Sequence, residues 1–297
     1  MNSISRKIWI FVVLGLIFGS MSTQARPLSE ILKSKELRIC LVVDNGVASA
    51  EPPDCRDNCR FSGRVYEESL VFAKSLGQDI QPKFIQVDWD EQFFNDQGII
   101  ENGKEYTPAL LENGTCDIYP SNLTRLDWRE KMMDFVVQFP NRMMVVIHKD
   151  NKPKFKKLED LAGKKAGTTP NTSYEEWLLN QNKTVFSQNP IHIDSIPDEK
   201  DILSKLQKKQ IDFTLLDAMV AILTVRNLAL NCSVAFPVGP TDEIGWAFRK
   251  QDKDLQIAVN NFFQSQLHDH LSELNQIWQV HLGISLNKFI KLIKAME

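Results

Sequence analysis

Residues 210–228, QIDFTLLDAMVAILTVRNL, decide the fold class of this chain. The apolar run at 213–216 has the length of a buried strand, and the longer apolar stretch at 218–228 has the length of a helix. Asp217 stands at the junction between the two. A buried strand that leads directly into a helix is the repeating unit of α/β proteins. The segment therefore predicts an α/β fold.

The same succession of strands and helices continues on both sides of this segment. Apolar or alternating runs predict strands, and apolar residues at helical spacing predict helices. The predicted strands are 36–43, 82–88, 116–120, 143–148, 165–168, 191–193, 234–237 and 244–249. The predicted helices are 66–76, 108–112, 156–161, 172–179 and 200–208, and further helices follow the last strand. The alternation predicts largely parallel sheets, with ligands at the carboxyl ends of the strands.

The composition is that of an ordinary globular protein. The 297 residues are 43% hydrophobic and 25% charged, and 35 Lys and Arg against 38 Asp and Glu give a net charge of −3. These values exclude a disordered or low-complexity chain. The length allows roughly two domains. The charge balance offers no basic patch, so nucleic acid is not an expected partner.

Residues 1–25 have the layout of a secretory signal peptide. Arg6 and Lys7 form a positive region, 8–18 are apolar, and small and polar residues lead to Ala25, where cleavage is expected. The alternative, a membrane anchor, needs about 20 apolar residues, and this run is shorter. We therefore expect an exported chain without a membrane span in its mature form, and we expect it to act as a monomer. Removing 1–25 leaves 33 basic and 38 acidic residues, so the mature net charge is −5.

The five cysteines become informative once export is expected, because oxidising compartments permit disulfides. Cys55 and Cys59 bracket a short polar loop and predict a disulfide. A zinc site is the alternative, but it needs four ligands and no His lies nearby, so no metal is predicted. Cys40 and Cys116 lie in two predicted strands and would pair if those strands are neighbours. Cys232 is left over.

The segment 122–129, NLTRLDWR, follows a predicted strand and offers a ligand site. Arg129 near a helix start can hold a carboxylate through two parallel hydrogen bonds, and Thr124 can add a hydroxyl. The alternative is a surface arginine paired with Asp127 or Glu130. Both interpretations remain open at this point.

Two further residues have a similar double interpretation. Asp217 directly follows an apolar strand, where a carboxylate points to the ligand edge of the sheet and suits an ammonium group. It would equally serve as the N-cap of the following helix. Thr172 precedes another predicted helix, where a hydroxyl either caps the helix or contributes to an anion site.

At these residues the chain resembles the type 3 periplasmic solute-binding proteins, the amino-acid-binding family of ABC importers. The resemblance runs from about residue 28 to 283 and depends on the order and spacing of several phrases. These are 28–39 (LSEILKSKELRI), 117–124 (DIYPSNLT) with its continuation to 135, 158–165 (LEDLAGKK), 172–177 (TSYEEW), 210–217 (QIDFTLLD) and 244–250 (IGWAFRK).

The resemblance implies a two-lobed clamp of the type II periplasmic-binding-protein class. Lobe 1 would comprise 26–142 plus 237–297, and lobe 2 would comprise 143–236. Two hinge strands would cross between the lobes, and the ligand would lie in the cleft.

The resemblance also implies roles for individual residues. Arg129 matches the family's carboxylate-binding arginine, and Thr124 matches the threonine beside it. Asp217 matches the acid that receives the ligand's amine. Thr172 matches a second-lobe contact to the carboxylate, and Trp89 matches the aromatic residue that covers the ligand.

Several positions depart from the family pattern. Asn122 and Asn171 stand where the family usually has glycine, so their side chains would narrow the cleft or add polar contacts to the ligand. A polar insertion at 94–106 and a helix after residue 283 are additional. These features resemble, more weakly, the exported binding-type proteins associated with quinoprotein dehydrogenases.

Three functions follow as hypotheses. The first is capture of a small zwitterionic solute and its delivery to an ABC permease. The second is a periplasmic sensor or accessory protein that uses the same clamp on a partner protein. The third and least favoured is an enzyme, because no Ser-His-Asp order, metal-ligand His pair or phosphate loop is present. The chain is also expected to end without room for the transglycosylase domain of some relatives. No cofactor is predicted.

Overall fold

The computed structural model describes residues 26–43, 48–52, 55, 59–227 and 231–296, and the predicted signal peptide lies outside these residues. The strands are β1 (Glu36–Val42), β2 (Ser49–Glu51), β3 (Arg60–Ser62), β4 (Gln81–Val87), β5 (Tyr119–Thr124), β6 (Asp134–His148), β7 (Lys165–Thr168), β8 (His192–Ser195), β9 (Phe213–Asp217) and β10 (Cys232–Phe248). The α-helices are α1 (Leu28–Ser34), α2 (Arg64–Leu76), α3 (Ala109–Glu112), α4 (Asp127–Glu130), α5 (Ser173–Lys183), α6 (Glu199–Gln207), α7 (Ala218–Asn227), α8 (Lys253–His268), α9 (Glu273–Leu282) and α10 (Leu286–Lys294). Short 3₁₀ turns occupy Asp90–Phe93, Lys149–Lys154 and Leu158–Leu161.

A six-stranded sheet in the order β5-β10-β6-β9-β7-β8 forms the centre of the molecule. Strand β7 is parallel to β8 and β9, whereas β6 is antiparallel to β9 and β10, and β10 is antiparallel to β5. Strands β1 and β4 form a separate parallel pair, and a bridge between Ile39 and Ile118 joins this pair to the chain just before β5. The α/β class is confirmed. The short strands pair in parallel as predicted, β1 with β4 and β7 with β8 and β9, and the central sheet is mixed because the two long strands β6 and β10 cross it in opposite directions.

The sequence patterns underestimate the length of the two long strands, β6 and β10. Strand β6 has 15 residues and β10 has 17, where the patterns predicted one short strand and two short strands. The apolar pattern predicts shorter strands because proline normally interrupts a strand, and these two contain Pro140, Pro237 and Pro240. The ladder between β6 and β10 accommodates the prolines through register shifts, including one between Val238 and Asp242.

Helices α2, α8, α9 and α10 cover one end of the sheet. The apolar face of α10 is largely buried, with Leu286, Phe289 and Ile293 essentially inaccessible. Phe289 packs against Phe139 of β6 and Trp278 of α9. The additional C-terminal helix is therefore part of the hydrophobic core.

The cysteine predictions are confirmed. Cys40 pairs with Cys116, and Cys55 pairs with Cys59. Cys232 is buried and free, and burial raises the pKa of its thiol. Within the described ranges, no helix combines the length and the apolar character needed to cross a bilayer.

Candidate functional site

A cleft of about 620 Å³ opens where several strands end. Residues at or just beyond the carboxyl ends of β1, β4, β5 and β9 line it, together with the residues that begin α5 and α6. Six of the seven sequence-predicted ligand residues line the cleft, namely Trp89, Asn122, Thr124, Arg129, Thr172 and Asp217. The seventh, Asn171, lies directly behind the lining and contacts two of its members. The strand-end rule therefore located the cleft correctly.

Arg129 is a buried cation in the wall of this cleft. Its side chain is 1% exposed, and its guanidinium donates to the backbone carbonyls of Thr124 (3.0 Å) and Asn171 (3.1 Å). Burial lowers the pKa of Arg129 to about 10. Within the described part of the chain, its Nε has no acceptor and no carboxylate lies within 4.0 Å of the guanidinium. The surface-arginine alternative is wrong, because Glu130 pairs with Arg125 instead.

Three aromatic rings enclose the same guanidinium. The Arg129 Cζ lies 5.4 Å from the ring centre of Trp89, 4.8 Å from that of Phe93 and 5.1 Å from that of Trp128. Ring faces attract a cation and shield it from water. The rings fix the position of the positive charge and keep water away from it. An anion beside this charge is therefore attracted more strongly than it would be in water.

Asp217 provides the opposite charge. It is 8% exposed, and its Oδ1 accepts a hydrogen bond from Asn141 Nδ2 at 2.7 Å. The Asp217 amide donates to the hydroxyl of Tyr174 at 2.9 Å. Burial, followed by the charges of Asp217 and Glu199, raises the pKa of Tyr174. Asn141 also contacts the start of α7, because its Oδ1 accepts a hydrogen bond from the Ala218 amide at 3.1 Å.

A second carboxylate, Asp242, lies close to Asp217 on β10. Desolvation raises its pKa to about 7, and the negative charge of Asp217 adds to the effect, while Arg142 opposes it. Its Oδ2 is shielded from solvent and has no hydrogen-bond partner among the described residues. Sequence reasoning missed Asn141 and Asp242, because both lie in the parts of β6 and β10 that proline obscured.

The threonine hydroxyls of the cleft already contact other groups of the protein. Thr172 Oγ1 accepts from the Glu175 amide at 3.3 Å and donates to the Thr169 carbonyl at 2.7 Å, so Thr172 caps α5. Thr124 Oγ1 lies 3.4 Å from Ser173 Oγ. The capping interpretation of Thr172 is therefore confirmed, and the residue also lines the cleft.

Asn122 and Asn171 both adopt a left-handed backbone, with φ of 55° and 58°. This region favours glycine and tolerates asparagine better than other residues. Their side chains make polar contacts with the protein: Asn122 Oδ1 accepts from Arg64 at 2.5 Å, and Asn171 Nδ2 donates to Asp90 at 3.2 Å. The backbone conformation explains why asparagine can stand where glycine was expected.

Besides the contacts of Asn141 with Asp217 and Ala218, further polar contacts between described residues cross the cleft and hold its two sides together. They are Arg129 with the Asn171 carbonyl, Asn171 with Asp90, Thr124 with Ser173, and Trp128 Nε1 with Glu176 at 3.2 Å. Among the residues with assigned coordinates, no group of three or more His, Cys, Asp or Glu side chains is arranged to hold a metal ion.

A two-lobed α/β structure whose cleft lies beside long crossing strands is the periplasmic-binding-protein fold, and solved structures of that class match the chain. An ancestral amino acid-binding protein, AncCDT-1, described as a precursor of cyclohexadienyl dehydratase, superposes with a TM-score of 0.67 at 21% identity, covering 86% of this chain and 99% of that one. The fold prediction is confirmed.

Curated relatives include both binding proteins and enzymes. The L-cystine-binding protein TcyJ of Escherichia coli is 26% identical over 224 residues, which are 75% of this chain and 76% of that protein. Membrane-bound lytic murein transglycosylase F of Desulfosudis oleivorans is 27% identical over 203 residues, which are 68% of this chain and only 40% of the transglycosylase. No protein-family model matches the sequence. The similarities are consistent with a type 3 solute-binding protein.

Proposed function

We propose that the chain is an exported solute-binding protein that captures a small amino-acid-like solute in the cleft and delivers it to an ABC permease. One observation carries the proposal: Arg129 is a buried cation that lines the cleft without a carboxylate partner among the described residues. A buried charge is costly unless it is paired. A ligand carboxylate is the partner that the site lacks.

The rest of the site suits the other end of a zwitterion. Asp217 is fixed by Asn141 and would receive the ligand's α-ammonium group. Thr124, Thr172 and the ring of Trp89 would complete the contacts from the cleft wall. A guanidinium for the carboxylate and a carboxylate for the amine together select the zwitterionic head group common to amino acids.

Closure is proposed as a hinge motion between lobes 26–142 plus 237–297 and 143–236. The register shift between Val238 and Asp242 in β10 supports a hinge near these boundaries, because a break in the ladder is where two long strands bend most readily. The ligand would shift the population toward the closed state by bridging the two sides.

The test is isothermal titration calorimetry against the twenty amino acids and cystine, with Arg129→Ala and Arg129→Lys as variants. We expect at least one ligand to bind the wild type and to lose at least 100-fold in affinity in Arg129→Ala. Arg125→Ala is the matched control, since Arg125 is an exposed arginine four residues earlier that pairs with Glu130 and Glu243. The thermal unfolding midpoint of each variant, measured in parallel, separates lost binding from lost folding.

The proposal fails if no panel member binds the wild type, or if folded Arg129→Ala binds as tightly as Arg125→Ala. Delivery to a permease is tested separately, by comparing uptake of the labelled ligand in cells with and without the protein. Unchanged uptake, together with specific crosslinking to a receptor or an enzyme, would instead favour the sensor or accessory function.

We further propose that the site binds and does not catalyse. The Arg129 guanidinium donates to two backbone carbonyls, and the Asp217 carboxylate accepts from the Asn141 side chain, so both charges are held in position for a ligand. NMR spectroscopy of the ligand after prolonged incubation checks this, and a protein-dependent chemical change would contradict it. Export through the predicted signal peptide belongs to the same proposal.

A further inference from the structure

We infer that the segment 171–176, which leads into α5 and forms its first turn, is a latch that closes the cleft through the protein's own contacts. The inference rests on the hinge closure of the proposed function and adds what drives it. Three residues of the latch contact lobe 1, namely Asn171, Ser173 and Glu176. Both partners of each contact belong to the chain, so the contacts favour closure whether or not a solute is bound.

Asn171 makes two of the contacts across the cleft. Its backbone carbonyl accepts from the Arg129 guanidinium at 3.1 Å, and its Nδ2 donates to Asp90 Oδ1 at 3.2 Å. Its own amide donates to Glu175 Oε2 at 2.9 Å, which ties it to α5. Glycine at this position would keep both backbone contacts and lose only the contact with Asp90, so the contribution of the side chain can be measured by itself.

Glu176 supplies a second side-chain contact. Its Oε2 accepts from Trp128 Nε1 at 3.2 Å, and the ring of Trp128 lies 5.1 Å from the Arg129 Cζ. Burial lowers the pKa of Arg129, and the negative charge of Glu176 opposes this effect. Glu176 on one lobe and Arg129 on the other therefore attract each other. The attraction is moderate, because Glu176 is exposed and water weakens it.

The latch contacts differ in position from those of Asn141. The bonds from Asn141 to Asp217 and Ala218 are buried beside the long strands that join the lobes, so they can persist while the cleft opens. The Trp128–Glu176 bond lies at the surface, where the lobes must separate when a solute enters or leaves. The latch contacts are therefore the ones that opening breaks.

The size of the effect follows from the number of bonds. A net hydrogen bond shifts an equilibrium by about twofold to tenfold, and an exposed bond lies at the lower end. We therefore expect loss of the Asn171 side chain to lower the ratio of closed to open protein at least threefold. Loss of the Glu176 side chain should lower it at least twofold.

Pulsed electron paramagnetic resonance measures this ratio in the protein without solute. Spin labels are attached through non-natural amino acids at Lys131 and Asn180, which are exposed and lie three and four residues after Trp128 and Glu176. Separation of the lobes lengthens the distance between these labels. The protein is first unfolded in urea without reductant, dialysed and refolded, which removes copurified solute and keeps the disulfides. We expect most wild-type molecules to show the short distance.

Two variants, each with a matched control, locate the latch. Asn171→Gly has Lys35→Gly as its control, since both positions have φ of 58° and Lys35 lies outside the cleft lining. Glu176→Ala has Glu159→Ala as its control, because Glu159 is exposed and also lies outside the lining. The variants should gain the long distance and the controls should not. The thermal unfolding midpoint of each protein checks that it is folded.

Two further variants test the Glu176 contact itself. Glu176→Gln keeps an oxygen for the indole N–H and should lie closer to the wild type than Glu176→Ala. Trp128→Phe keeps a ring and removes the N–H, so combining it with Glu176→Ala should add little to either change. Fully additive effects would overturn the assignment of this contact.

The distance measurement also decides the latch as a whole. A ligand-free wild type that is mainly open overturns the inference, and so do folded Asn171→Gly and Glu176→Ala proteins with the same ratio as their controls. Because the measurement needs no solute, it decides the latch independently of the calorimetry that decides solute capture.

Discussion

The half-buried carboxylate of Asp242 should make the stability of this protein fall as the pH rises. Burial beside Asp217 raises the Asp242 pKa from its ordinary 3.8 to about 7. Between these values the folded protein holds a proton that the unfolded chain releases. Folding is therefore favoured by protons, and the free energy of unfolding decreases with pH until the carboxyl group is ionised in both states.

The size of the effect follows from the two pKa values. At about 1.4 kcal/mol per pKa unit, the full range corresponds to about 4 kcal/mol, and the part between pH 4.5 and pH 8 to about 3 kcal/mol. Asp242 keeps some contact with solvent, which weakens the penalty, so we expect about 2 kcal/mol. Replacement by asparagine removes the ionisation and keeps the shape. Asp242→Asn should therefore be more stable than the wild type at pH 8 by about 2 kcal/mol more than at pH 4.5.

Urea unfolding followed by tryptophan fluorescence measures this difference. Curves for wild type and Asp242→Asn at pH 4.5, 6, 7 and 8 give the free energy of unfolding at each pH. Glu243→Gln is the neighbouring control, because Glu243 is exposed and pairs with Arg125 at the surface. A difference between Asp242→Asn and wild type that is constant with pH, or that is largest at pH 4.5, would refute the reasoning.

Two further predictions concern the framework around the cleft. Gly245→Ala would place a Cβ 2.4 Å from the carbonyl oxygen of Val136, a contact that the backbone of β6 can relieve only by moving, so we expect a loss of at least about 2 kcal/mol in urea unfolding; stability within 0.5 kcal/mol of the wild type would contradict it. Replacing both Cys40 and Cys116 by serine should lower the free energy of unfolding by about 3 kcal/mol, because the disulfide joins residues 76 positions apart. In that variant, dithiothreitol should cause only a small further loss, and a loss as large as in the wild type would show that the other disulfide carries the effect.

The rule that ligands lie at the carboxyl ends of strands led from the sequence to the residues that line the cleft. Arg129 and Asp217 follow strands that are apolar enough to be recognised, and both line the same cleft. Tyr174, Asn141 and Asp242 were not proposed as site residues, although each lies near Asp217. In the sequence, Tyr174 lies in the first turn of a predicted helix, and its neighbours in the chain do not mark it as a site residue. The other two lie on strands whose prolines interrupt the apolar pattern, so no local signal marked them as part of a sheet.

Local patterns by themselves determined the α/β class, most of the strands and helices, and the Cys55–Cys59 disulfide, whereas the Cys40–Cys116 pair depended on two distant strands being neighbours. The local features depend on the spacing of apolar residues and on residues that are close in the chain, and both can be read from the sequence. Only the tertiary structure decided that β6 and β10 form one long antiparallel ladder and that Asn122 and Asn171 take left-handed backbones. It also decided that aromatic rings enclose Arg129, which has no carboxylate partner among the described residues. The physical reason is that burial and electrostatic pairing depend on segments that are distant in sequence. Arg129 meets Asn171 and Asp217 meets Asn141 only after the long strands have brought them together.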